Sequence, residues 1–107
     1  MSTVHSISEA SFQSEVLDAT VPVLVDFTAT WCAPCRALEP VLAKIAKEGE
    51  GRCKVVSVDG DANPELAARF GVRGFPTVVA FAHGRETGRQ IGLAPKERLL
   101  KLLAPAE

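Results

Sequence analysis

Thr30-Trp31-Cys32-Ala33-Pro34-Cys35-Arg36 joins a run of β-branched and aromatic residues to a long helical pattern, and it holds two of the chain's three cysteines. If Cys32 opens the helix, Cys35 lies one turn further along the same face and the two sulfurs come within disulfide reach. Such a pair is a reversible dithiol. The first cysteine would meet the unpaired N–H groups and the positive end of the helix dipole, which stabilise the thiolate that attacks disulfides. Cys35 would be its resolving partner.

Upstream, the near-continuous apolarity of residues 21–28 suits a central strand covered on both faces. Asp26 interrupts it. A carboxylate buried there loses hydration, so its pKa should rise toward neutrality. Taken alone, Asp26 reads as a cap on a nearby backbone group; a candidate thiolate six residues later shifts the balance toward a perturbed carboxyl beside other chemistry. Downstream, Leu38, Val41, Leu42, Ile45 and Ala46 have the spacing of an amphipathic helix over residues 33–47. Pro34 falls in its first turn. Pro40 removes a hydrogen bond to the Arg36 carbonyl and predicts a kink rather than a break, because the apolar spacing continues across it.

The other segments supply the frame. Residues 4–7 read as a short strand, followed by Ser8 as a helix cap, Ile7 and Phe12 at hydrophobic-staple spacing, and Phe12 and Val16 on one helix face. Residues 53–58 read as a strand, with Cys53 a structural thiol at its start. Asp59, Asp61 and Asn63 mimic a calcium loop, but Pro64 stands where the loop needs glycine and Phe70 where it needs glutamate. Asn63-Pro64 instead opens a helix with Leu66 and Phe70 on one face and Gly71 as its stop. Residues 77–82 and 85–91 form a hairpin about His83-Gly84, and residues 95–103 a closing helix striped by Leu99, Leu100 and Leu103 after a poor cap, Ala94. His5 and His83 read as surface-strand and turn residues. The predicted class is α/β: a central mixed five-stranded sheet flanked by four helices, with helix-separated strands parallel and the hairpin as an antiparallel edge. Functional residues then gather beyond the carboxyl ends of the strands, where residues 31–35 would lie.

At 107 residues the chain suits one domain, 1–107, with a single core. A net charge of −1 with both signs dispersed argues against a nucleic-acid or anionic-membrane partner. Three cysteines with one close pair are not the framework of a small secreted protein. Residues 1–8 lack the basic and apolar regions of a signal peptide, and no apolar run approaches membrane-spanning length. The expectation is a soluble cytoplasmic protein.

One more segment, Arg73-Gly74-Phe75-Pro76-Thr77, enters the fourth strand. With Val25-Asp26-Phe27, Trp31-Cys32-Ala33-Pro34-Cys35 and Gly92, it makes the chain resemble the thioredoxin family over residues 4–103. A lone C-x-x-C also occurs in zinc sites; the combination is specific. The resemblance implies a single thioredoxin domain acting as a general protein-disulfide reductase. Cys32 is then the nucleophile that forms a mixed disulfide with substrate, Cys35 the residue that resolves it, and Asp26 the buried group that takes the Cys35 proton through water. Pro76 is similar to the family's cis proline beside the disulfide. Trp31, Ala33, Pro34, Gly74, Phe75, Pro76, Gly92 and Leu93 would receive an extended substrate segment, with backbone pairing beside Pro76. The implied redox group is the Cys32–Cys35 disulfide, with no bound cofactor or metal. The implied partners of the monomer are disulfide-containing proteins and an NADPH-dependent flavoprotein reductase.

Three positions depart from the family pattern. Ala33 replaces the usual glycine between the cysteines, Thr28 a tryptophan, and Ser57 a lysine that neighbours the buried aspartate. Without that cation Asp26 should be more easily protonated. Competing readings are a disulfide oxidase or isomerase of the same fold, a non-catalytic binding module, and a zinc site completed by Cys53 and a histidine.

Overall fold

Side chains alternate across a strand, so a strand buried on both faces must feed two separate cores. In the computed structural model, which describes residues 4–103, that strand is β2, Val23–Thr28, at the centre of a sheet. The other strands are β1 (His5–Ile7), β3 (Lys54–Asp59), β4 (Thr77–Ala82) and β5 (Arg85–Ile91), in the order β1-β3-β2-β4-β5. Val23, Val25 and Phe27 of β2 join Val56, Val58, Val79 and Phe81 against Phe12, Val16 and Leu66. Leu24 points the other way and joins Val55, Val78 and Ala80 against Leu38, Leu42, Ile45 and Leu99. By the same alternation Asp26 and Ser57 share the face of Leu24 and Val55.

The first face is covered by α1 (Glu9–Phe12), which continues as a wider helical turn over Gln13–Leu17, and by α3 (Pro64–Arg69). Ser8 caps α1, its N–H donating to Ser11 Oγ at 3.1 Å. The Asp18 N–H reaches back five residues to the Gln13 carbonyl at 2.9 Å, so the helix expected through Val16 widens instead of continuing as α. Phe12 meets Phe81 edge-on at 5.7 Å, and Phe70 meets Phe81 at 5.2 Å. The second face is covered by α2 (Ala33–Glu48) and α4 (Lys96–Leu103). Pro40 lies inside α2, and the helix runs unbroken through it.

The mixed five-stranded sheet and four helices match the expected class, with one difference in direction. β1 and β2 are parallel to β3, but β4 runs antiparallel to β2 although a helix precedes it. The reason is length. A six-residue strand spans about 20 Å, and a helix of about thirteen residues is needed to return over it. α3 has six residues, so the chain re-enters the sheet at the end it left, where Thr77 pairs with Phe27. Smaller differences lie at element ends. β3 begins at Lys54, leaving Cys53 just outside it. α4 begins at Lys96, with the Pro95 carbonyl accepting from Arg98 and Leu99; Ala94 is buried and does not cap it. Residues 1–3 of the segment read for a leader lie outside the described residues. Among the described residues, no helix is long and apolar enough to cross a membrane.

Leu99 is fully buried and ties α4 to the second core. Leu99→Ala is therefore expected to cost about 3 kcal/mol, read as a lowered urea midpoint at unchanged m-value.

Candidate active site

Because β2 ends at Thr28 and α2 begins at Ala33, the connection is short, and Cys32 becomes the cap of α2. Its extended backbone, φ −97° and ψ 110°, turns Sγ toward the first helical turn, where it accepts the Cys35 N–H at 3.2 Å. Cys32 and Cys35 form a disulfide with a Cα–Cα distance of 5.2 Å. Both are nearly buried, at 3% and 1% exposed. Pro34 sits in the first turn, where its missing N–H leaves no bond unmade. On reduction, the same N–H and the positive helix end act on the Cys32 sulfur and favour its thiolate.

Around the disulfide the sheet contributes a second segment. Ala29 and Phe75 pack on Cys32 and Cys35, and the Trp31 ring meets Phe75 edge-on at 6.1 Å. The Phe75–Pro76 peptide is cis, as expected for Pro76. The Pro76 carbonyl accepts the Gly92 N–H at 2.8 Å, joining the two loops. Gly92 holds φ at 90°, a value that disfavours any side chain. Gly74 accepts the Thr77 hydroxyl at 2.8 Å, which ties down the loop before β4. Ala33, Pro34, Gly74, Leu93 and Trp31 are exposed, Trp31 by 66%. Those residues thus share one end of the molecule with the disulfide.

Asp26 is 2% exposed, and among the described residues its Oδ1 has no hydrogen-bond partner. It opens on a cavity of about 360 Å³ whose walls include Val4, Thr28, Leu42 and Ser57, with Glu39 among them. Burial, and secondarily the Glu39 carboxylate, pushes its pKa from 3.8 up to about 7. The expected burial of Asp26 and the upward direction of its pKa are found, and Ser57, its partner across β2 and β3, brings no cation.

Four neighbours of the site escaped the sequence reading. Glu39 stands one turn after Cys35 on α2, a spacing that could have signalled it. Asp61 accepts the Trp31 indole N–H at 2.5 Å, and Asp59 Oδ1 accepts the Asp61 and Ala62 N–H groups at 2.9 and 3.2 Å, so the calcium-like pattern is a turn that holds the tryptophan. Gly60 lies under Phe75, where a Cβ would overlap the ring. Ile91, at the end of β5, is exposed and extends the apolar surface beside Leu93.

Cys53 is a free, half-buried thiol whose pKa burial raises, and it lies apart at the far end of α2 against Gly49. Among the described residues, no three His, Cys, Asp or Glu side chains converge to hold a metal. The zinc reading therefore finds no ligand set in those residues.

The family model for thioredoxin matches residues 3–105. A protein described as Thioredoxin 1 from Nostoc sp. is 44% identical over 103 residues, covering 96% of each chain. The chain belongs to the thioredoxin family. A thioredoxin from Synechocystis sp. is 43% identical over the same share of both chains. One from Rickettsia felis is 41% identical over 96 residues, 90% of this chain and 91% of its own. With the thioredoxin fold and its disulfide at the helix end, this is a protein-disulfide oxidoreductase.

Two outcomes follow from this geometry. Because the folded protein holds the Asp26 proton more tightly than the unfolded chain, the associated stability is complete below about pH 4 and is lost as pH rises through about 7. Asp26→Asn should remove that loss, gaining on the order of 4 kcal/mol over wild type above neutrality and little at pH 4, as read by urea unfolding at both pH values. Gly60→Ala should displace Phe75 from Trp31, changing the emission of the chain's one tryptophan and costing about 1–3 kcal/mol.

Proposed function

We propose that this chain is a general protein-disulfide reductase, a monomeric thioredoxin domain spanning 1–107 that donates electrons to cytoplasmic proteins. The observation that carries the reading is the placement of one dithiol at a helix amino end, between a buried carboxyl and an exposed apolar surface. Cys32, as thiolate, attacks a substrate disulfide and forms a mixed disulfide. Cys35 gives its proton to Asp26 through water, attacks Cys32 Sγ and releases the reduced substrate. Trp31, Ala33, Pro34, Gly74, Phe75, Pro76, Gly92 and Leu93 receive an extended substrate segment, whose backbone pairs beside Pro76.

The redox group is the protein's own disulfide, with no other cofactor and no metal bound. An NADPH-dependent flavoprotein reductase returns it to the dithiol. A net charge of −1 supports a protein partner over nucleic acid or an anionic membrane.

Equilibration with glutathione buffers should give a potential near about −270 mV; a value above about −200 mV would transfer the chain to the oxidase or isomerase reading. Cys35→Ser should accumulate the mixed disulfide on Cys32, seen as a substrate adduct by mass spectrometry. Cys32→Ser should return insulin reduction to background. Undiminished turnover in Cys32→Ser would overturn the assignment of the nucleophile.

A further inference from the structure

We propose that Glu39 is a positioning residue for the disulfide chemistry: from the mouth of the cavity beside Asp26, its carboxylate sets how tightly Asp26 holds the proton taken from Cys35. The inference rests on the reductase reading above and adds to it a residue that acts only through Asp26.

The geometry begins with the helix period. Glu39 follows Cys35 by one turn of α2, so the residue that resolves the disulfide and the residue that borders the cavity lie on adjoining turns of one face. Glu39 is exposed yet lines the same cavity as Asp26, which places it where the cavity meets solvent. Asp26 is nearly fully buried, and among the described residues no donor reaches its Oδ1.

Among the described residues lining the cavity, none is a cation that would offset two carboxylates. Across the sheet Asp26 is paired with Ser57 of β3 and Val78 of β4. Val4, before β1, and Leu42 and Ala43 of α2 form the apolar wall, and Thr28 adds a hydroxyl. Among the described residues lining the cavity, Asp26 and Glu39 are the ionisable ones. On α2 the charged groups nearest Glu39 in sequence are Arg36, whose guanidinium donates to the Thr30 carbonyl at 3.0 Å, and Lys44; the thiols are Cys35 and, at the cap, Cys32 once the disulfide is reduced.

Two like charges sharing a poorly hydrated site resist ionising together. The buried member, Asp26, is the one that keeps the proton. The direction of the Asp26 pKa agrees, with burial the larger cause and Glu39 the second.

The consequence falls on the resolving step. There the Cys35 S–H bond breaks and its proton passes to the Asp26 carboxylate. Cys35 Sγ bonds to Cys32 Sγ, and the bond from Cys32 to the substrate sulfur breaks, leaving a substrate thiolate. Only ionised Asp26 can accept that proton, so the pH at which Asp26 ionises is the pH at which the step accelerates.

The test follows the Asp26 carboxyl carbon by NMR through a pH titration of the oxidised protein, together with the pH profile of the resolving rate. Glu39→Gln should lower the Asp26 midpoint so that proton affinity falls about threefold, Glu39→Lys should lower it about tenfold, and Glu39→Asp should stay near wild type. The midpoint of the resolving rate should move by the same factors. An Asp26 midpoint unmoved in both Glu39→Gln and Glu39→Lys overturns the proposal. So does a midpoint that moves without a matching shift in the rate profile. Failure of the reductase reading is distinguishable, because it appears as missing turnover in the wild-type protein while the Asp26 titration still reports on Glu39.

Discussion

The arrangement depends on burying one strand from both sides. β2 lies at the centre of the sheet with its residues divided between two cores, and this alternation assigns every side chain on it a face. The strand must then leave the sheet, and the few residues between Thr28 and Ala33 deliver the chain directly to the start of α2. A cysteine at the cap of that helix therefore meets backbone donors on one side and the end of the sheet on the other. The cores fix the position of α2, and α2 fixes the position of the sulfurs.

The same burial creates the strain on Asp26. A carboxyl in the place of an apolar residue on a central strand loses water, and among the described residues no donor reaches its Oδ1. As a contribution to folding it is unfavourable above neutrality; as the proposed proton acceptor it is placed in the range where its two forms are both populated. Stability and chemistry thus pull in opposite directions at one residue. The large apolar cores on either side supply the excess that lets the residue remain.

Much of this was legible from local sequence. The alternating and continuous apolar runs marked the strands, the three-and-four spacing marked α2 through Pro40, and Cys32, Cys35 and Asp26 announced themselves by residue type and separation. What was not legible depends on partners distant in the chain or on lengths compared between elements. The direction of β4 turns on α3 being too short to span the sheet, which residue identity alone does not reveal. Pro64 and Phe70 already ruled out a calcium loop around Asp61, but what Asp61 does instead, accepting from Trp31 thirty positions away, had no local signal. Gly60 carried no signal at all, since its value lies in the side chain it lacks beneath Phe75.

The bond between the Gly92 N–H and the Pro76 carbonyl links the loop after β5 to the loop before β4. β5 is an edge strand, paired on one side alone, and edge elements open more readily than central ones. Fraying of β5 from its carboxyl end would release that bond and the Ile91–Leu93 surface while leaving β2, α2 and the disulfide in place. The disulfide and the Gly92–Leu93 part of the proposed substrate surface therefore rest on elements of unequal pairing, the one on the central strand and the other at the sheet edge.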